Sequence, residues 1–286
     1  MYNLRYHLAS LVAVFIALAV GLLLGTVVAE RGMLDDQGVA LVQGLQTRFD
    51  EISAENEELE AGLERDRAFV ADAVGPLIAG RLVGQRVVII APAGQVEALA
   101  VARETAQSAG AEVSTVTLAS PALGMESAEP EGLAGFLHGR DVEIAPAGAP
   151  LVEQIAELLT AEWRAGDERP LTEFLVTSGL VSLESASGTG TVDAVVIAGG
   201  TSGPVDPLGL ELAKRYITAG GRSVGADLTF VEDGVAAVFD AEGIPAVDHL
   251  AIPQGRYSFV AVLAGLANGY YGTGDGVDAY YAPIAP

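Results

Sequence analysis

Soft or borderline metal chemistry needs sulfur or imidazole donors, and this sequence supplies three methionines, three histidines and no cysteine. They are Met1, Met33, Met125, His7, His138 and His249, and no two fall at i, i+2 or i, i+4. Met33, Met125 and His249 are the candidates for holding a metal. Met33 lies just past a long apolar stretch, where pairing of two chains would bring two copies together. His249 ends a predicted strand beside Asp248; the competing reading is a hydrogen-bonded structural histidine. The lack of cysteine removes disulfides and thiolate metal sites from consideration.

Nucleophilic chemistry finds no framework either. Ser178, Ser182 and Ser202 are hydroxyls without a motif around them. Asp193, Asp227 and Asp248 fall near predicted strand ends, but no recognised pattern joins Ser, His and acid. No catalytic residue is assigned, and the chain reads as a non-enzyme. One loop has ligand-binding composition: Gly199, Gly200, Thr201, Ser202 and Gly203, followed by Pro204, Asp206 and Pro207. Glycines let backbone N–H groups face a ligand, and a helix amino end favours an anion. The alternative is a tight turn with Asp206 as N-cap and Pro207 opening a helix. It accounts for every residue except the number of glycines. Neither a Walker lysine nor a full G-x-G-x-x-G follows a strand, so no cofactor is evident.

These residues ride on an alternation of short apolar runs and helical patterns. Residues 87–91 (VVIIA), 113–118 and 192–198 (VDAVVIA) read as strands, and 95–108 as a helix. Residues 151–163 and 171–183 have apolar positions at helical spacing. Residues 208–219, 223–226, 235–242, 246–250 and 257–268 then alternate helix and strand. Strands separated by helices imply βαβ units and a mostly parallel sheet. The predicted fold is α/β: a Rossmann- or flavodoxin-like three-layer α/β/α domain of about five strands. Its short, all-apolar strands are unlike the roughly 9–11 alternating residues of a membrane barrel strand. Residues 119–150, rich in Pro, Gly and Ala, are expected to be an insertion with one short helix near 131–138. The Gly-, Tyr- and Pro-rich tail, 269–286, reads as a disordered end or as an extended segment docking on a partner or a neighbouring protomer.

Ahead of this domain, 76–268, lie two different segments. Residues 8–29 contain no charge, and as a helix they would run roughly 33 Å, enough to cross a hydrocarbon core of about 30 Å. An uncleaved anchor and a signal peptide ending at Val27-Val28-Ala29 are both readable. The apolar length exceeds that of a signal-peptide core and favours the anchor. Arg5 precedes the span while Glu30, Asp35 and Asp36 follow it. The amino end, within 1–29, is therefore expected in the cytoplasm and the rest of the chain outside the cytoplasmic membrane. Gly21 and Gly25 form a GxxxG that suits close helix pairing. In the stalk, 30–75, Val42, Phe49, Asn56, Leu63 and Val70 recur every seven residues, with Leu45, Ile52 and Leu59 interleaved. That is a coiled-coil seam, with Asn56 at a position that fixes register in two-stranded assemblies. A single amphipathic helix packed on its own domain would use the same stripe. The seam and the GxxxG together predict a parallel homodimer, and Gly75-Pro76 is expected to end the stalk.

The chain carries a formal net charge of −23, with only 15 Lys and Arg among 286 residues. That argues against nucleic acid as a partner, which needs basic patches. The stretch LRYHLASLVAVFIALAVGLLLGT, residues 4–26, followed by a coiled coil and an α/β domain, resembles the MctB family. These are actinobacterial proteins named for mycobacterial copper transport protein B. The resemblance implies an envelope protein tied to copper efflux or an outer-membrane channel, working alongside a cytoplasmic cell-envelope or division partner. Copper enters through the resemblance alone, since no ligand cluster is visible. Three readings follow: copper transport or resistance, a non-enzymatic envelope scaffold linking a cytoplasmic partner to the wall side, or a module that binds a small anion.

Overall fold

The computed structural model describes residues 4–30, 33–185, 190–200 and 205–284. It divides into two compact units, Met1–Arg67 and Ala68–Pro286. The first unit holds α1 (Leu4–Glu30) and most of α2 (Met33–Ile78). Within α1, Tyr6–Val27 is long and apolar enough to cross a membrane. A Cβ added to Gly21 or Gly25 would meet nothing within 4 Å. Along α2, a helix of roughly 69 Å, the seam residues Val42, Leu45, Phe49, Ile52, Leu59 and Leu63 are all exposed. Gly75-Pro76 does not stop α2, which continues to Ile78 with Pro76 inside its last turns. Burial of Val74 and Ile78 on the second unit's core holds these turns helical, and Ala79 N–H donates to the Gly75 carbonyl at 3.0 Å.

The second unit follows the α/β alternation. Its elements are β1 (Arg86–Pro92), α3 (Val96–Ser108), β2 (Glu112–Leu118), a 3-10 turn (Pro121–Gly124), α4 (Leu133–His138), α5 (Ala149–Ala165) and α6 (Pro170–Thr177). Then come β3 (Val181–Ser185), β4 (Ala194–Gly199), α7 (Pro207–Thr218), β5 (Arg222–Asp227), α8 (Val235–Ala241), β6 (Ala246–Val247), α9 (Pro253–Leu263) and β7 (Tyr270–Tyr271). The seven strands lie in the order β3-β2-β1-β4-β5-β6-β7. All neighbours are parallel except β3, which runs antiparallel to β2 with Val116 opposite Leu183.

Pleating sends alternate residues to opposite faces. Val88, Ile90, Val195 and Ile197 face a core closed by α5, α6, α7 and α8. Val87, Ile89, Val196 and Val224 face the other, closed by α3, α9 and the end of α2. A sheet buried on both sides explains the unbroken apolar runs of β1 and β4.

Two strands exceed the expected five. The helical pattern read over 171–183 breaks at Gly179, whose φ of 70° needs no Cβ; Leu180, Val181 and Leu183 suit a strand equally, and 181 onward becomes β3. The tail supplies β7, with Ala246 opposite Tyr270. It folds back on its own domain, where Tyr270, Tyr271 and Ala282 are buried. The segment 119–150 also contributes to the core, burying Ala122, Leu123, Met125, Leu133 and Leu137.

Candidate functional site

In an open parallel sheet, ligands bind beyond the carboxyl ends of the strands, where the strand order reverses. Here that point lies between β1 and β4. Gly199 ends β4 and Gly200 follows it; both line a crevice with Pro92, Gln95, Asp206 and Asp227. The crevice has about 20 Å³ of free room, enough for roughly one water molecule. Thr201, Ser202 and Gly203 lie outside the described residues.

Two carboxylates dominate this crevice, and both face backbone N–H groups of their own chain. Asp206 is the N-cap of α7: its Oδ1 accepts from Leu208 N at 2.9 Å and Gly209 N at 3.3 Å. Its Oδ2 accepts from Ala122 N at 2.8 Å, clamping the 3-10 turn after β2. Pro207 occupies the first helical position, as the Asp-Pro pair predicts. Asp227 ends β5, and its Oδ2 accepts from Ala236 N at 2.7 Å in the first turn of α8. Burial pushes the Asp227 carboxyl up to about 6, against the opposing pull of the Ala236 and Val235 N–H groups. Asp206 is also raised, again by burial, with three backbone N–H groups working the other way. The amino ends of α7 and α8 thus each already hold a carboxylate of the protein.

The glycines follow from that packing. A Cβ on Gly199 would overlap Asp227 Oδ1 and Val235, and one on Gly200 would overlap Gln95 Oε1. One on Gly234 would press on the other Asp227 oxygen. At Gly199 and Gly200 the missing side chains make room for the protein's own groups. Gln95 and Gly234 escape a reading by sequence alone, because they come from other loops. The signal for Asp227 was available: an acid closing the apolar run of β5.

His249 lies two residues beyond β6 and is only 5% exposed. Its Nδ1 stands 3.4 Å from Asp248 Oδ1, longer than a good hydrogen bond. Neither ring nitrogen has a hydrogen-bond partner, and the Tyr280 ring covers it at 5.2 Å between centroids. Asp248 instead binds the tail. It accepts from Tyr270 Oη at 2.8 Å, Thr273 N at 2.9 Å and Gly274 N at 2.7 Å. Burial would raise the Asp248 carboxyl, but His249 and these donors outweigh it and hold the group below the usual range. A side chain on Gly272 would overlap the same carboxylate.

Met125 is fully buried in the core under α5 and α7, away from solvent. The side chain of Met33, at the start of α2, lies outside the described residues. The structure therefore does not gather Met125 and His249 into one site. Among the described residues, no group of three or more His, Asp or Glu could hold a metal ion.

An N-terminal helix of membrane-crossing length, ahead of an open, mostly parallel α/β sheet with its ligand crevice filled from within, defines the class: a domain carried behind an anchor-type helix. Comparison with known families gives the particular one. Residues 1–282 match the family described as "Copper transport outer membrane protein, MctB", and the chain belongs to the MctB family. The "Copper transporter MctB" proteins of Mycobacterium tuberculosis and Mycobacterium bovis are 27% identical over 317 aligned positions. Those alignments cover 96% of this chain and 98% of each relative. No solved structure matches.

Proposed function

We propose that this protein acts in copper transport and copper resistance at the cell envelope, with copper as cargo. It is a non-enzymatic protein held by α1 as a single pass, amino end in the cytoplasm and the α/β domain outside. The observation that carries this reading is the family match along residues 1–282, with copper transporters aligned over nearly their whole length. The stalk is a parallel homodimeric coiled coil, supported by the exposed seven-residue stripe on α2. The domain is Rossmann-like, supported by the strand order β3-β2-β1-β4-β5-β6. Burial of Met125 and His249 favours an indirect part in copper movement, in which the domain supports an assembly. The open described sheet, with no strand longer than seven residues, favours a support over a pore.

A deletion strain tests this after a copper challenge. Cell-associated copper should rise in the deletion and return to the parental level when the intact gene is restored. Unchanged copper with altered cell shape or envelope permeability would instead favour the second reading, an envelope scaffold joining a cytoplasmic partner to the wall side. Capping of α7 by Asp206 and of the first turn of α8 by Asp227 weighs against the third, a small-anion site at Gly199, Gly200, Thr201, Ser202 and Gly203.

A further inference from the structure

On α2, six apolar side chains of the stalk stripe are each more than half exposed, Phe49 at 70%. Each leaves on the order of 100 Å² of apolar surface. Two copies would bury roughly 1,200 Å², the lower limit of a stable specific interface. The stripe cannot gain area by running on. Asp66 takes the next core position after Leu63, and beyond it Val70, Val74 and Ile78 all pack on the core of the α/β domain.

The flanks of the stripe work against it. In a parallel, in-register pair, each g position meets the e position five residues later on the other copy, and these contacts set partner choice. With Val42, Phe49, Asn56 and Leu63 at a, the facing pairs are Leu41 with Gln46, Arg48 with Ser53, Glu55 with Glu60, and Gly62 with Arg67. The one pair charged on both sides is like-charged, and symmetry makes it occur twice. Asp66 adds a third carboxylate pair on the axis. Nothing within a helical turn relieves the Glu55–Glu60 pair, whereas Asp66 has Arg67 beside it. Glu55 is flanked at that distance by Glu51, Ile52, Glu58 and Leu59, and Glu60 by Asn56, Glu57, Leu63 and Glu64. Nearby, Arg67 pairs with Glu64 at 3.8 Å, and Arg65 Nε donates to the Ala61 carbonyl.

We infer that the stalk is a two-copy interface of minimal apolar area opposed by its own flanking charges, so that its pairing tightens as ionic strength rises. This rests on the dimer reading above. Coiled coils laced by ion pairs behave in the opposite way, because salt screens attraction there and repulsion here.

The absence of native cysteine allows a clean test on the full chain in membranes. Leu59→Cys places one thiol in the seam, and disulfide-linked dimer is followed with diamide at about 20 mM and about 500 mM salt, either side of a Debye length of about 10 Å. The expected result is cross-linking several-fold faster at high salt. Adding Glu60→Lys should raise the low-salt rate about tenfold and abolish the salt enhancement. Glu57→Cys, on the outer face, should stay monomeric. Cross-linking at Leu59→Cys that neither salt nor Glu60→Lys alters would overturn the inference while leaving the dimer standing. No cross-linking under any condition, even with Glu60→Lys, would overturn the dimer and the inference with it.

Discussion

Replacing Asp206 by Ala removes three hydrogen bonds at once, those to Leu208, Gly209 and Ala122. The lost N-cap and the stranded buried N–H of Ala122 together should cost about 3 kcal/mol, read as a lower urea midpoint. Ala122 and Leu123 hold φ of 44° and 55°, a conformation that needs such an external clamp. Asp227 acts in the opposite sense. Its carboxyl titrates about 6 in the folded chain against an ordinary 3.8, so burial favours the protonated form. The stability this contributes is full below about 3.8 and is lost as pH rises through about 6. Asp227→Asn should therefore melt higher than the parent at pH 7.5, by up to about 3 kcal/mol. The difference should shrink as pH falls toward 4; a variant no more stable at pH 7.5 would contradict this account of the site. Gly199→Ala, forced onto Asp227 and Val235, should cost about 2 kcal/mol.

At the scale of elements, the tail is the segment whose removal is most informative. Ending the chain after Asn268 strips Tyr270, Tyr271 and Ala282 from the core and leaves Asp248 buried without its donors from Tyr270, Thr273 and Gly274. Thermal melting should show a loss of several kcal/mol, and Tyr270→Phe alone about 1–2 kcal/mol. The strands β1 and β4 were legible in the sequence because burial on both faces leaves an unbroken apolar run. The strands β3 and β7 were not. Leu180, Val181 and Leu183 fit a helical period as well as a strand, and two tyrosines among glycines carry no period at all. The cap role of Asp206 was legible because capping is local. The reason for Gly199 and Gly200 was not, because it lies in Asp227, Gln95 and Val235, brought there by other strands and helices.

For the whole molecule, α1 and α2 present apolar surface that a single chain leaves uncovered: a span of membrane length and a heptad stripe. With the first in a bilayer and the second against another copy, as proposed above, the α/β domain acts from a fixed station. Anchoring is then part of the function. The most direct measurement is cell-associated copper after a copper challenge in a deletion strain complemented two ways. One strain carries the intact chain. The other carries the same chain with residues 1–29 replaced by a cleavable export signal. Excess copper is expected in the deletion, with correction by the anchored chain and little or no correction by the released one. Equal copper in all strains, or full correction by the released chain, would contradict this.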